Sequence, residues 1–272
     1  LLSGALNVTD EPKLSDVLRD RRDKLERLRE AGIDPFPHDF PEREDIAEVR
    51  AAHEGLAPGI ETESMHRVAG RIVGRRGHGK AAFLDIRDGS GQIQLHARED
   101  LLGEEPFALL VNLDIGDIVG VEGTAMATRR GGELTLALTR WRLLAKSLRP
   151  PPSEFHGLED TETRYRRREL DLIANEESRR IFATRARTVS EVRRWLDDHG
   201  YVEAETPVLQ PLYGGAMARP FVTHHNQLDR DFYLRIATEL YLKRLVVGGI
   251  DRVYELGKDF RNEGVSHKHN PE

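Results

Sequence analysis

Residues 14–31, LSDVLRDRRDKLERLREA, carry apolar side chains at Leu14, Val17, Leu18, Leu25 and Leu28. That spacing predicts an amphipathic helix with a charged outer face. Gly32 is a stop signal, and Pro35 and Pro37 forbid continuation. Residues 43–53 predict a second, short helix. The basic side chains of the first helix, Arg19, Arg21, Arg22, Lys24, Arg27 and Arg29, leave two readings open. They form a lever that touches nucleic acid, or a solvated face, since Asp20, Asp23, Glu26 and Glu30 interleave with them.

The pattern changes over residues 66–145. HRVAGRIVGRR, AAFLDIRD, GQIQLHAR, DIVGVEGTAMATRR and ELTLALTRWRLL are short runs rich in β-branched and aliphatic residues. Glycine-bearing turns separate them at 77–79, 88–91 and 131–132. Five such strands predict a small closed barrel. Residues 99–113, between the third and fourth strands, have helical character. A five-stranded barrel with a helix at that place is the OB-fold pattern, which often binds single-stranded nucleic acid or oligosaccharide.

Arg149-Pro150-Pro151-Pro152 is a stiff stretch that closes the barrel region. A helix is predicted over 177–199, with Ile181, Phe182, Val189, Val192, Trp195 and Leu196 on one face and Gly200 at its end. YVEAETPVL follows as a strand that stops at Pro207, then a helix over 238–247 and a strand in RVYELGKDF. Helices thus alternate with antiparallel-style strands. No βαβ repeat with glycine-rich crossovers occurs, which argues against a Rossmann domain.

Composition bounds the chemistry. The 272 residues carry a net charge of −6, with 32% charged and 38% hydrophobic residues. Residues 63–146 hold 12 basic and 11 acidic side chains, so RNA contact there requires a local patch with stacking groups. Arg75, Arg76 and Lys80 in the first hairpin supply charge for it. Phe83 on the next strand is a stacking platform or a barrel core residue; periodicity leaves both open. The absence of cysteine excludes disulfides, thiolate metal sites and cysteine nucleophiles. No stretch approaches the roughly 18 apolar residues of a membrane span, and the first residues do not read as a signal peptide, so a cytoplasmic location without membrane contact is expected.

Two patterns mislead. Gly74 to Ala81 nearly matches a phosphate-binding P-loop, but Ala81 stands where a hydroxyl must reach Mg²⁺, and a strand follows where a helix is needed. The pairs His224/His225 and His267/His269 lack the partners a metal shell requires, so no metal site is expected within the chain.

Three stretches in the last third, GYVEAETPVLQPLYGGAMARPF, YLRIATELYLKRLVVGGIDRVYELG and KDFRNEGVSHKHNPE, resemble the class II aminoacyl-tRNA synthetases. Within them they are most similar to lysyl-tRNA synthetase. The first looks like motif 1, ending at Pro207, and the last like the first part of motif 2. The barrel resembles that family's anticodon-binding domain. The implied fold is α+β: an OB-fold barrel over 63–148 behind a helical extension over 1–62, a hinge over 149–176, and an antiparallel-sheet catalytic domain, in part, over 177–272.

The resemblance implies ATP-dependent activation of L-lysine as lysyl-adenylate and its transfer to tRNA(Lys), by a homodimer joined through motif 1. Arg261 would hold the α-phosphate and the amino-acid carboxylate, where charge builds in the transition state. Glu263 would bind the adenine or its ribose side, and His269 and Asn270 would reach the triphosphate or adenine. Glu239 would bind the α-amino group of lysine, with Gly215 lining the same pocket. Arg75, Phe83, Gln94 and Glu133 would contact a uridine-rich anticodon. On residues alone, Arg261 and Glu263 fit a surface strand ion pair better, and Glu239 a helix-start carboxylate.

The chain departs from the family at Thr238, where proline is usual, and at Glu169, where tyrosine is common. The ligands for Mg²⁺, the acidic groups for the lysine side chain and motif 3 are expected beyond Glu272. We therefore expect a truncated piece of a longer enzyme, inactive alone. The alternatives are an aspartyl- or asparaginyl-type relative, a synthetase module fused to a membrane lipid lysyltransferase, and a truncated paralogue that binds tRNA without consuming ATP.

Overall fold

The computed structural model describes residues 14–152 and 158–272. The chain divides into two compact units, Leu1–Asn175 and Glu176–Glu272.

The first unit opens with helices α1 (Leu14–Glu30) and α2 (Ile46–Ala52). Strands β1 (Glu61–His78), β2 (Ala81–Arg87) and β3 (Gln92–Arg98) follow, then the short helices α3 (Glu99–Leu102) and α4 (Glu104–Val111). Strands β4 (Ile118–Ala127) and β5 (Leu134–Ala145) complete a closed barrel of order β1-β2-β3-β5-β4. A short parallel pairing, Gln94 with Thr135 to His96 with Ala137, closes it; the other pairs are antiparallel. Alternation decides the faces: Ala82, Leu84 and Ile86 point inward, with Phe83 and Asp85 outward. Leu84, Ile86, Ile93, Leu95, Leu136 and Leu138 are at most 1% exposed. Each stabilises the barrel by about 1.5–3 kcal/mol.

The turn between β2 and β3 caps α2. Ile46 N donates to Asp88 Oδ2 at 2.9 Å, and Ala47 N donates to Ser90 Oγ at 2.9 Å. Burial pushes the Asp88 carboxyl up, but hydrogen bonds from Ile46, Ser90 and Gly91 outweigh it and hold the group below its ordinary value.

The basic face of α1 is solvated at Arg19, Arg22, Arg27 and Arg29 but not at Arg21 and Lys24. Arg21 is buried, and its guanidinium donates to the Ser147 and Ile115 carbonyls at 3.0 Å each. Lys24 and the buried Lys146 both reach Asp114 at 2.7 Å, and Lys146 also reaches Asp117 at 2.9 Å. Two of the six cations thus pin the helix to the barrel. The expected hinge carries two short helices, α5 (Thr161–Arg166) and α6 (Arg168–Ala174). Arg164, Arg168 and Asn175 all donate to the buried Asp171. Glu169 is exposed there and accepts from Arg167.

The second unit begins with α7 (Glu176–Asp198). After it come β6 (Val202–Glu203), β7 (Leu209–Gln210), β8 (Val222–His225), β9 (Arg230–Leu234), α8 (Glu239–Val247) and β10 (Val253–Tyr254). The sheets differ from the expected antiparallel arrangement. β7, β9 and β8 form an antiparallel trio, while β10 and β6 pair in parallel. The run 201–209 is not one strand; Val202–Glu203 and Leu209–Gln210 pair separately, and Pro207, which offers no N–H, lies between them. RVYELGKDF likewise pairs only at Val253–Tyr254.

Arg235, 3% exposed, is the polar hub of this unit. Its guanidinium donates to Glu255, to the Thr206 carbonyl and hydroxyl at 3.1 Å each, and to the Lys258 carbonyl at 2.9 Å. Burial pushes Glu255 up, but Thr206 and Arg235 outweigh it and hold the carboxyl below its usual range. Gly257 leaves room for them, since a Cβ there would lie 2.2 Å from an Arg235 nitrogen and force that side chain to shift. The hydroxyl of Tyr254, 8% exposed, shares its one proton between Asp197 at 3.0 Å and Glu203 at 3.3 Å, joining the end of α7 to β6. Burial, then those two carboxylates, push its hydroxyl up to about 12.

Candidate functional site

The outer face of the barrel gathers one group of polar and aromatic side chains. Phe83 is half-buried and outward, so it is not a core residue. Its ring stacks on that of His96, its cross-strand partner, at 4.6 Å and 9°. His96 escaped the sequence reading, although it stands two residues from Gln94 and shares its strand face. Burial, then Arg98, push the His96 imidazole below its ordinary value. The neutral ring suits stacking.

Gln94 is only 4% exposed. Its amide nitrogen donates to Glu133 at 3.1 Å, and its oxygen accepts from the Thr135 hydroxyl at 3.0 Å. Those partners fix which way the amide points, because a carboxylate only accepts. One N–H and one lone pair of the amide have no partner among these bonds. Arg76, the β1 partner of Phe83, donates to Asp85 at 3.0 Å and stands 4.0 Å from Glu133.

Arg75 is not brought to this group. It pairs with the inward Leu84, and its guanidinium donates to the Val111 and Leu113 carbonyls at 2.6 and 2.8 Å. It caps the end of α4, where those carbonyls lack helical partners. The bulge between Ile72 and Gly74 shifts the alternation and makes Arg76 the basic neighbour of Phe83. Lys80 is paired with Glu99 at 2.9 Å.

In the second unit, Arg261, Glu263, His269 and Asn270 line one open cleft, together with Asp259 and Lys268. Arg261 is exposed and lies on an extended segment, not on a strand. Its N–H donates to the Pro271 carbonyl at 2.9 Å. The chain then turns back through a bridge between Ser266 and His269, whose side chains meet at 2.9 Å. Asn262 N donates to the Arg219 carbonyl at 2.8 Å, and Arg219 N to Glu263 at 3.3 Å. The GGAMARPF turn is thereby tied to the Arg-Asn-Glu segment, a link that sequence spacing does not show.

Gly215 and Glu239 meet each other and lie outside that cleft lining. Gly215 has φ +87°, and a Cβ there would lie 3.1 Å from Glu239 Cβ and 3.3 Å from Ala237 Cβ. Only glycine fits both the left-handed backbone and the approach. Glu239 opens α8 after Thr238, whose side chain makes no capping bond, and pairs with Lys243.

Among the described residues, no three of His, Asp or Glu are grouped to hold a metal ion. His224 is engaged with Asp231 at 3.0 Å and Asp229 at 3.4 Å. No helix among the described residues is long and apolar enough to cross a membrane.

Comparison with known proteins matches residues 160–272 to the family model of tRNA synthetases class II (D, K and N). Residues 66–144 match that of the OB-fold nucleic acid binding domain. The chain is 51% identical over 266 residues to a protein named lysine–tRNA ligase from Lactococcus lactis subsp. lactis (strain IL1403), covering 96% of this chain and 53% of that protein. A Bacillus cereus (strain AH187) protein of the same name is 50% identical over 262 residues, covering 96% and 52%. One from Dehalococcoides mccartyi (strain CBDB1) is 51% identical over 257 residues, covering 93% and 51%. The chain thus spans about half the length of the curated relatives it matches.

Proposed function

Because this chain belongs to the class II tRNA synthetases, we propose that it serves ATP-dependent activation of L-lysine and its transfer to tRNA(Lys). The observation that carries the proposal is the identity of about half to lysine–tRNA ligases, continuous through both units. It favours lysine over the aspartyl- and asparaginyl-type relatives that share the family model.

In this reading the lysine carboxylate attacks the α-phosphate of ATP, the α–β phosphoanhydride bond breaks and pyrophosphate leaves. Arg261 neutralises the charge that builds there, from the open cleft where Glu263, His269 and Asn270 meet it. Glu263 is steadied by the Arg219 N–H and takes the adenine or ribose side. Glu239 pairs with the substrate's α-ammonium, and Gly215 leaves room for it. A buried ammonium without such a partner is costly. Phe83, stacked on His96, offers its other face to an anticodon base, and Gln94, Glu133 and Arg76 surround it. Arg75 supports the barrel through α4 in place of touching RNA.

Self-association through α7 belongs to the same proposal. Ile181, Phe182, Val192 and Trp195 are each more than 40% exposed along one face, and a contiguous apolar face of that kind marks an association surface.

The test is amino-acid-dependent ATP–pyrophosphate exchange, in this chain and in one extended to the full length of its relatives. Exchange dependent on lysine in the extended chain, lost in Arg261→Ala, is the expected result. Exchange dependent on aspartate or asparagine contradicts it.

A further inference from the structure

Glu239, the acid assigned to the α-ammonium of the substrate, already holds a cation of the chain's own. Lys243, one turn further along α8, donates from its ammonium to Glu239 Oε1. The other oxygen, Oε2, faces the glycine turn, since a Cβ on Gly215 would lie 3.7 Å from it. Glu239 stands in the first turn of α8, where the helix dipole favours a carboxylate. A glutamate one turn before a lysine is also the orientation that pairs best on a helix.

Both side chains are open to a ligand, Glu239 at 45% and Lys243 at 68% exposure. Among the described residues, no other side chain donates to the Glu239 carboxylate. Arg244, the other cation of α8, is engaged elsewhere, over the Tyr241 ring at 4.7 Å. Lys243 Nζ is a primary ammonium. It is the same chemical group that a free amino acid would bring to Glu239.

We propose that Lys243 is an internal stand-in for the substrate: its ammonium holds the Glu239 carboxylate until the α-ammonium of the amino acid takes it, and it thereby sets the amino-acid KM. The proposal rests on the reading of Glu239 as the partner of that α-ammonium. Binding is then an exchange of one ammonium for another. Where the incoming group displaces Lys243 from Oε1, the energy of the helix pair is lost. Where it enters at Oε2, beside Gly215, two like charges crowd one carboxylate. Both arrangements weaken the hold on the substrate, so Lys243 raises the concentration of amino acid required. Lys243 touches no reacting atom and acts through Glu239. A ligand without an α-ammonium leaves the pair in place and does not sense it.

The experiment measures lysine-dependent ATP–pyrophosphate exchange in the chain extended to the length of its relatives. Wild type is compared with Lys243→Arg, Lys243→Met, Lys243→Glu and Glu239→Gln. Arginine, methionine and glutamate are all good helix formers, so α8 persists in each. Lys243→Arg retains the pair and should retain the wild-type KM for lysine. Lys243→Met should lower that KM about twofold, the weight of one such pair, without a change in kcat. Lys243→Glu should lower it further. Inhibition by ε-aminocaproate, which lacks only the α-amino group of lysine, should not strengthen in any of them. A KM in Lys243→Met that is unchanged or higher, or a fall that ε-aminocaproate shares, overturns the stand-in. If Glu239→Gln raises the KM in that case, the reading of Glu239 stands without it. If Glu239→Gln leaves the KM as in wild type, that reading falls and the stand-in with it.

Discussion

The two units of this chain are held in opposite ways. The barrel buries its aliphatic side chains almost completely; Leu84, Leu95, Leu136 and Leu138 are fully enclosed. The second unit buries few, Ile236 and Tyr254 among them, and leaves Leu212, Met217, Val247 and Val265 more than 70% exposed. Its elements are joined by the polar hub of Arg235, Glu255 and Thr206. A closed sheet satisfies its own edges and core; short strand pairs with open apolar faces require further surface. Under the proposed function, RNA recognition would fall to the self-contained barrel, and adenylate chemistry to the unit whose apolar faces are left open.

The largest effects should separate the units. Lys146→Met leaves Asp117 buried without its cation and should lower the stability of the barrel by about 3–5 kcal/mol. Arg235→Ala strands Glu255 and should cost the second unit about as much. In denaturant unfolding followed by probes in each unit, each substitution should move only its own transition. A single shared shift would break the comparison.

Next in size is the proposed RNA face. Phe83→Ala should weaken anticodon stem–loop binding by about 1–3 kcal/mol, the value of one stacked base, while Arg75→Ala acts through α4 and leaves binding nearer to wild type. Equal losses would return Arg75 to the RNA face.

A smaller effect is expected on α7. Ile181→Asp with Trp195→Asp should abolish self-association in sedimentation, yet change monomer unfolding by no more than about 0.5 kcal/mol, because both side chains are exposed. The smallest concerns acid stability. Asp88 has a depressed carboxyl, so its contribution is present above its ordinary value of 3.8 and lost as pH falls through the lower folded value. Asp88→Asn should flatten the acid limb of the unfolding curve; an unchanged limb would remove Asp88 from the cap.

The barrel was legible because each strand alternates and each turn carries glycine, so Ile93 and Leu95 declare their face without help from distant sequence. Arg21 and Lys24 were not. Interleaved charges on a helix look alike whether solvated or buried, and their partners at Ile115, Ser147 and Asp114 lie about ninety or more residues away. Arg75 and Arg76 are neighbours in sequence, and only the bulge after Ile72 decides which one faces Phe83. The short pairings of β6 and β10 were overread as long strands, since alternation continues past the point where a hydrogen-bonding partner exists. The cleft residues Arg261, Glu263, His269 and Asn270 were found through resemblance, because exposed polar residues carry no periodic signal.

The most direct test of the central claim compares this chain's affinity for two anticodon stem–loops that differ only in the three anticodon bases. We predict a preference of about tenfold or more for the uridine-rich loop, lost in Phe83→Ala. Equal affinity for both loops would contradict the assignment of the barrel as the reader of tRNA(Lys).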